Sequence, residues 1–433
     1  MLDSCLTLEP SFYELQDYSV FDSNTPVYLL GHKFPARGDM DSIKEYVTSR
    51  LWFTYRKNFM PIGGTGPTSD QGWGCMLRCG QMLLAQALIV RHLGTEWMWD
   101  RDNKEEDYKR ILRMFQDKKC CPFSLHQIAQ MGVSERKQIG EWFGPNTAAQ
   151  VLKKLVVYDD WSRLAVHVAL DNLLIASDVR TMAHTRPPSR LSSRHTTENE
   201  QSEESGNASG GNSLCSFGSV KMCMLQSALM KECDENPVED EEQWRPLLII
   251  VPLRLGLTSI NRCYLPAIEA FFQLPQCTGI IGGRPNHALY FIGIAGEQLI
   301  YLDPHVCQAA IDLDERCASL QQQDGFVEVV KSTDIFDDSS YHCPFLLHIA
   351  YDSADPSLAL SFICRTEEEY EHLANNLKTK VLPASSPPLF ELLETRPKGF
   401  PPFVPYVGEN AKLQDYTDLS EVHDSYDEFE ILE

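Results

Sequence analysis

Gly72-Trp73-Gly74-Cys75-Met76-Leu77-Arg78-Cys79-Gly80-Gln81 opens a run that stays apolar on almost every side to Leu93 and stops at Gly94. A helix apolar all round has to be buried, and a glycine just past its last turn is the usual stop signal. The run predicts a central helix over 75–93, with a domain built around it. Its first residue stands where a Gly- and Pro-rich loop, Ile62-Gly63-Gly64-Thr65-Gly66-Pro67, meets the helix start. First-turn amides are unpaired and the dipole favours negative charge there, so Cys75 is placed to ionise. Gly72 and Gly74 around Trp73 leave backbone open to close approach. The competing reading is a buried structural cysteine. Cys79, one turn inside, reads as core or at most a redox partner.

Outward from this helix the pattern is helical first and sheet-rich later. Ser42-Ile43-Lys44-Glu45 has capping-box form, and Ile43, Tyr46, Val47 and Leu51 continue at helical spacing, which predicts a helix ending before Asn58. Asn146-Thr147 precedes a short helical run, 148–157. Continuous apolar runs at Leu247–Val251, Leu289–Ile294, Gln298–Leu302, Phe345–Ala350 and Leu358–Cys364 predict strands covered on both faces. Thr366-Glu367-Glu368-Glu369 caps a last helix to about Leu377. The class is α+β, with α/β as the other option. Residues 178–243 break this order: Ser, Thr, Glu, Asn and Gly dominate, too little apolar surface to offset the entropy of ordering, and a disordered insertion is expected.

The 433 residues carry a formal charge of −23. That excludes nucleic-acid binding, which needs clustered Lys and Arg, and suits a basic protein partner. The acid is concentrated in Glu409–Glu433, where nine Asp or Glu accompany the single Lys412. Met1–Pro10 has no basic n-region and does not read as a signal peptide, and no run of about 18 apolar residues spans a bilayer. A reducing, cytoplasmic setting is expected, so the 14 cysteines are small buried hydrophobes with one candidate catalyst. No CxxC pair suggests a metal. The Gly63–Gly66 loop lacks the Gly-Lys-Ser/Thr ending of a phosphate cradle, and neither metal nor cofactor is expected.

A thiolate nucleophile needs a base, usually His, and often a group to orient it. In Tyr301-Leu302-Asp303-Pro304-His305 the two polar residues stand at i and i+2, on one face of an extended chain. Pro304 suits a strand end, where a site opens. An Asp-Pro turn with a solvated His is the plain alternative. His287 beside Asn286 is a rival base in a turn expected to be exposed. Papain-like enzymes place a Gln six residues before the nucleophile; here that position is Ser69, so another oxyanion donor is needed. Tyr55, at the expected end of the first helix, is the candidate. Phe429 with Leu432 among C-terminal acids, and Phe12 with Leu15 near the N-terminus, have the form of strand-adding docking segments.

The segments Arg50–Phe59, Ile62–Asp70, Gly72–Gln81, Trp142-Phe143-Gly144-Pro145-Asn146-Thr147, Pro252–Leu257 and Tyr301–His305 together resemble the autophagins, the autophagy cysteine peptidases, over about residues 26–395. The resemblance implies a papain-like fold with an added small α/β domain. It implies a flexible segment 1–25 before the peptidase domain and an acidic docking tail, 396–433, after it. It implies hydrolysis of GABARAP-type ubiquitin-like modifiers after a C-terminal glycine, as free precursors and as conjugates of phosphatidylethanolamine (delipidation). Carried over, Cys75 is nucleophile, His305 base, Asp303 its orienting carboxylate and Tyr55 the oxyanion-site tyrosine. Trp142 would lie over the nucleophile, Pro275 in a loop that moves to admit the substrate tail, and Phe12, Leu15, Phe429 and Leu432 in modifier-docking motifs. A transglutaminase and a non-enzymatic adaptor are the rival functions.

Overall fold

The run that opens at Cys75 folds as a helix over Cys75–His92, entered from Gly74 and followed by Gly94 at φ 93°. Every residue from Cys75 to Val90 is buried. Leu77, Leu83, Leu84, Leu88 and Ile89 have no exposed surface, and burying each side chain stabilises the fold by about 1.5–3 kcal/mol. The computed structural model describes residues 21, 25–35, 40–102, 104–187, 243–313, 317–323, 326–333 and 336–408. By internal packing the chain divides into Met1–Thr185 with Trp244–Glu433, and Arg186–Gln243. All elements named below belong to the first unit.

The helices are α1 (Met40–Thr48), α2 (Cys75–His92), α3 (Glu106–Arg113), α4 (Leu125–Met131), α5 (Pro145–Leu155), α6 (Ala176–His184), α7 (Leu265–Phe272) and α8 (Glu367–Asn376). The strands are β1 (Val27–Leu29), β2 (His32–Phe34), β3 (Tyr55–Lys57), β4 (Ala165–Val168), β5 (Leu173–Ile175), β6 (Leu247–Arg254), β7 (Cys277–Gly282), β8 (Leu289–Ala295), β9 (Gln298–Leu302), β10 (Cys307–Ala309), β11 (Cys317–Gln323), β12 (Phe326–Thr333), β13 (Leu347–Ala350), β14 (Ser357–Cys364) and β15 (Glu391–Leu393). The main sheet runs β13-β9-β8-β7-β14-β6-β4, with β1 joined to β8 and β2 to β1. β4 pairs with β6 in parallel and the other pairs are antiparallel. The fold is α+β, with α2 against β7 and β8.

Register decides which sheet edge holds chemistry. Gly282 lies opposite Leu289 and Leu358, and Tyr290 opposite Leu302. The ends of β7 and β9 and the starts of β8 and β14 therefore share one end of the sheet. The chain leaves β9 there as Asp303-Pro304-His305, then returns as β10 to pair in parallel with β3, Cys307 opposite Tyr55.

Three expectations need correction. The first helix ends at Thr48 rather than near Asn58, and Ser42 lies inside it, not at its cap. Long-range bonds claim the chain beyond: Trp52 N donates to Tyr341 O (2.8 Å), Tyr55 N to Pro304 O (2.9 Å), and residues 55–57 form β3. Helical spacing there was outweighed by tertiary pairing. Second, the insertion does not begin at 178. Residues 178–184 are helical, with Val179, Met182 and Ala183 buried at i, i+3 and i+4, and Arg245 N bonds Ala183 O at 3.0 Å. Residues 188–242 lie outside the described residues. Third, the tail does not leave the body at 396. Arg396 donates to the buried Asp178 (3.3 Å), and Phe403 packs on His167 at 5.5 Å between ring centroids.

Candidate active site

Two buried carboxylates clamp the helix mouth that carries Cys75. Arg78, one turn in, donates from Nε to Asp70 Oδ2 (2.8 Å) and from Nη2 to Asp70 Oδ1 (3.1 Å). Its Nη1 and Nη2 reach Asp117 at 2.9 and 3.2 Å. Asp70 Oδ1 also accepts from the Arg56 amide at 2.6 Å, and Asp70 O from the Gly74 amide at 2.8 Å. Loop, strand β3 and helix start are thus tied to one guanidinium. Gly74 is dictated by this packing, since a Cβ there would fall 2.2 Å from Asp70 Oδ2. Burial lifts the Asp70 carboxyl, with Arg78 and the Arg56 amide pulling it back.

Opposite the helix mouth stand Asp303 and His305, both buried. Asp303 Oδ1 accepts from the His305 amide at 2.9 Å and sits 2.6 Å from His305 Nδ1. A carboxylate accepts only, so Nδ1 carries the proton and Nε2 is directed away from Asp303. Trp52 Nε1 donates to Asp303 O at 2.6 Å and fixes the turn from behind. Tyr55, carried here by the β3–β10 pairing, stands edge-on to the imidazole at 5.5 Å between centroids.

His305 Nε2 and Tyr55 Oη are buried without a hydrogen-bond partner among the described residues, and both act electrostatically on the Cys75 thiol. Burial alone would raise the Cys75 thiol. His305, by hydrogen bond and charge, then the Ala288 amide and the Tyr55 hydroxyl, bring it below its ordinary value. Burial alone would lower His305. Its bonds to Asp303 and Cys75 push it up to about 10. Each group favours the charged form of the other, the direction that leads toward a thiolate–imidazolium pair. Burial, followed by the sulfur, drives Tyr55 well above the ordinary tyrosine range, so it remains an O–H donor. Burial does the same to the Cys79 thiol, with the Cys75 charge adding to it, and nothing activates that sulfur.

The other candidates divide. Trp142 is half-buried just before α5, its indole N–H without a hydrogen-bond partner among the described residues. Leu152 and Ala148 of α5 pack over Gly80 of α2, a turn and a half from Cys75. Pro275 is not brought to Cys75: it is exposed in the turn before β7, packed on Gly31, at the opposite end of that strand. The loop that does reach the sulfur is 283–288, through the Ala288 amide. Its tight path requires glycine at Gly283 (φ 140°), where a Cβ would meet His287 O at 2.4 Å. His287 is exposed, as expected. Phe12, Leu15, Phe429 and Leu432 lie outside the described residues. The Ala288 amide and the Asp70–Arg78–Asp117 cluster were not anticipated; an Arg within a buried helix, after an Asp and a Gly, was the available signal.

Among the described residues no helix is long and apolar enough to cross a membrane. The profile of the peptidase C54 catalytic domain matches residues 40–376. Cysteine protease ATG4A of Xenopus laevis is 41% identical, over 98% of this chain and 96% of that protein. ATG4A of Homo sapiens is 40% identical over 96% and 95%, and cysteine protease ATG4B of Gallus gallus 42% identical over 91% and 90%. The chain belongs to the peptidase C54 family, the autophagins, and is a cysteine peptidase of papain-like fold.

Proposed function

We propose that this is a cytoplasmic endopeptidase of autophagy that cleaves GABARAP-type ubiquitin-like modifiers after the C-terminal glycine, maturing the precursor and releasing the modifier from phosphatidylethanolamine. The reading rests on the mutual charging of Cys75 and His305, with Asp303 behind the ring. In the reaction the Cys75 thiolate adds to the glycine carbonyl. The oxygen's charge is received by the free amides of the first turn of α2 and by the Tyr55 hydroxyl. The C–N bond breaks as His305 Nε2 gives its proton to the departing amine, leaving a thioester. Water, deprotonated by His305, then cleaves the C–S bond and restores the ion pair. No cofactor enters. Trp142 and the loop 283–288, in place of Pro275, are the elements proposed to confine the entering tail; glycine alone has no side chain to obstruct such a slot. Phe429 with Leu432, and Phe12 with Leu15, are proposed to dock the modifier.

The test is incubation with a GABARAP-type precursor in the presence of a chelator, reading the product mass. A product ending in the glycine supports the reading, whereas a precursor left untrimmed under chelation, with amine incorporated once calcium and an amine are supplied, would point to a transglutaminase. Cys75→Ala is expected to bind without cleaving, and cleavage persisting there would remove Cys75 from its role. Deleting 424–433 is expected to weaken turnover of the modifier but not of a small acyl substrate; equal loss on both rules out docking.

A further inference from the structure

Asp303 and His305 are joined by two peptide planes, and the sequence leaves the two unequal numbers of polar handles. A peptide unit is planar, so its direction is set by the torsions on either side and held by bonds to its C=O and N–H. The first plane runs from Asp303 to Pro304. Proline has no N–H, which leaves the Asp303 carbonyl as that plane's single handle, and Trp52 Nε1 donates to it at 2.6 Å. The second plane, from Pro304 to His305, has both groups, and both are engaged. Pro304 O accepts from the Tyr55 amide at 2.9 Å, and the His305 amide donates to Asp303 Oδ1 at 2.9 Å. The Pro304 ring locks its own φ. Between the two α-carbons, only ψ of Asp303 is left to a side chain from elsewhere in the chain, and that side chain is Trp52.

The indole is itself mounted on fixed backbone. Trp52 is 6% exposed, its amide donates to Tyr341 O at 2.8 Å, and Leu51 beside it forms an antiparallel bridge with His342. His342 Nδ1 lies 2.8 Å from Thr48 O, and its Nε2 2.8 Å from the Tyr108 hydroxyl. A buried indole N–H needs some acceptor, and for packing alone any nearby carbonyl would serve. Here the acceptor is the one group by which the first plane can be held. Rotation about ψ of Asp303 would carry His305 past Oδ1, which lies 2.6 Å from Nδ1. We propose that Trp52 is a positioning residue, whose indole N–H fixes the Asp303–Pro304 plane and so the carboxylate–imidazole bond on which the base depends. This role rests on the proposed Cys75–His305–Asp303 mechanism and adds to it a member that acts only through Asp303.

The test uses the full chain and a GABARAP-type precursor, comparing the parent with Trp52→Phe, Asp303→Asn and the double variant. Trp52→Phe is expected to lower kcat by about 10- to 100-fold, the size of a small misplacement of a reacting group. KM should change little, and the alkaline limit of kcat should move to lower pH as the hold of Asp303 on the imidazole loosens. The double variant should be within about twofold of Asp303→Asn alone, because residues acting through one bond are not additive. A chain with benzothienylalanine at position 52, where sulfur replaces the indole N–H in the same shape, separates the donor from the packing. It should show the same fall in kcat, and parental kcat there would overturn the proposal even if Trp52→Phe had failed to fold. A Trp52→Phe loss that multiplies in full with that of Asp303→Asn, or that leaves the alkaline limit in place, would overturn it too. Asp303→Asn as fast as the parent would instead overturn the Cys75–His305–Asp303 reading, and the role of Trp52 with it.

Discussion

Two buried charge clusters flank the first turn of α2, and they are built to opposite ends. In Asp70–Arg78–Asp117 the guanidinium donates from Nε, Nη1 and Nη2, and both carboxylates accept. Gln81 adds a further acceptor for Arg78 at 3.1 Å. In Asp303–His305–Cys75 one carboxylate is engaged, but His305 Nε2 and the Tyr55 hydroxyl have no hydrogen-bond partner among the described residues. A satisfied buried network rigidifies; an incomplete one is costly unless the missing partner arrives with a substrate. The first cluster holds the helix mouth in place, and the second holds reactivity there.

The largest effect should come from deleting the sulfur. Cys75→Ala is expected to lower cleavage by at least about 10⁴-fold with little change in melting temperature, by thermal unfolding beside a cleavage assay. Asp303→Asn comes next. It keeps the shape but loses the charge behind Nδ1, for roughly 10³–10⁴-fold in kcat. The pH dependence carries the sign. His305, raised to about 10, gives stability that is complete below its unfolded value near 6.5 and is lost as pH rises through about 10. Cys75, lowered, gives stability present above its unfolded value and lost as pH falls through its folded one. The active window therefore closes on the alkaline side near 10, and in Asp303→Asn that limb should move to lower pH. An unmoved limb would mean that Asp303 does not set the imidazole.

Arg78→Met should do the converse. Both carboxylates lose their partner inside the protein, and breaking a buried pair costs about 3–5 kcal/mol, read as a fall in denaturation midpoint. Among molecules still folded, the pH limits of activity should stay where they were. If Arg78→Met shifted those limits while sparing stability, the division between the two clusters would collapse.

What the sequence disclosed follows the same division. Cys75 at a helix start and Asp303-Pro304-His305 at a strand end were legible because each is a local pattern: an apolar run with its stop, and an i, i+2 pair. The strands over 247–254, 289–295, 298–302 and 357–364 were legible for that reason too, as was the Thr366 cap, whose side chain accepts from Glu369 N. β7 escaped because two of its six residues are glycine, which weakens a strand signal. Tyr55 reads as a helix end because nothing nearby in sequence discloses that its backbone pairs with residues 304 and 307. Pro275 and the loop 283–288 stand at opposite ends of β7, and only the register of that strand, which no local pattern encodes, tells the two ends apart. The Asp70–Arg78–Asp117 clamp spans 47 residues, and no local period encodes it.

Tyr55→Phe is the smallest change and the sharpest test of the comparison. Its hydroxyl is buried without a hydrogen-bond partner among the described residues, and after burial the Cys75 sulfur acts on it most strongly. A structural tyrosine that loses a satisfied bond destabilises the protein, but here an under-satisfied polar group is removed. Folding stability should hold or rise slightly, within about 1 kcal/mol. If the hydroxyl donates to the developing oxyanion, kcat should fall by about 10²-fold with KM little changed, because the contact forms with the charge and not with the ground-state carbonyl. A loss confined to KM would make Tyr55 a binding residue, and a loss of stability would return it to the first kind of cluster. Stability kept and kcat lost is the outcome that a site left open for its substrate requires.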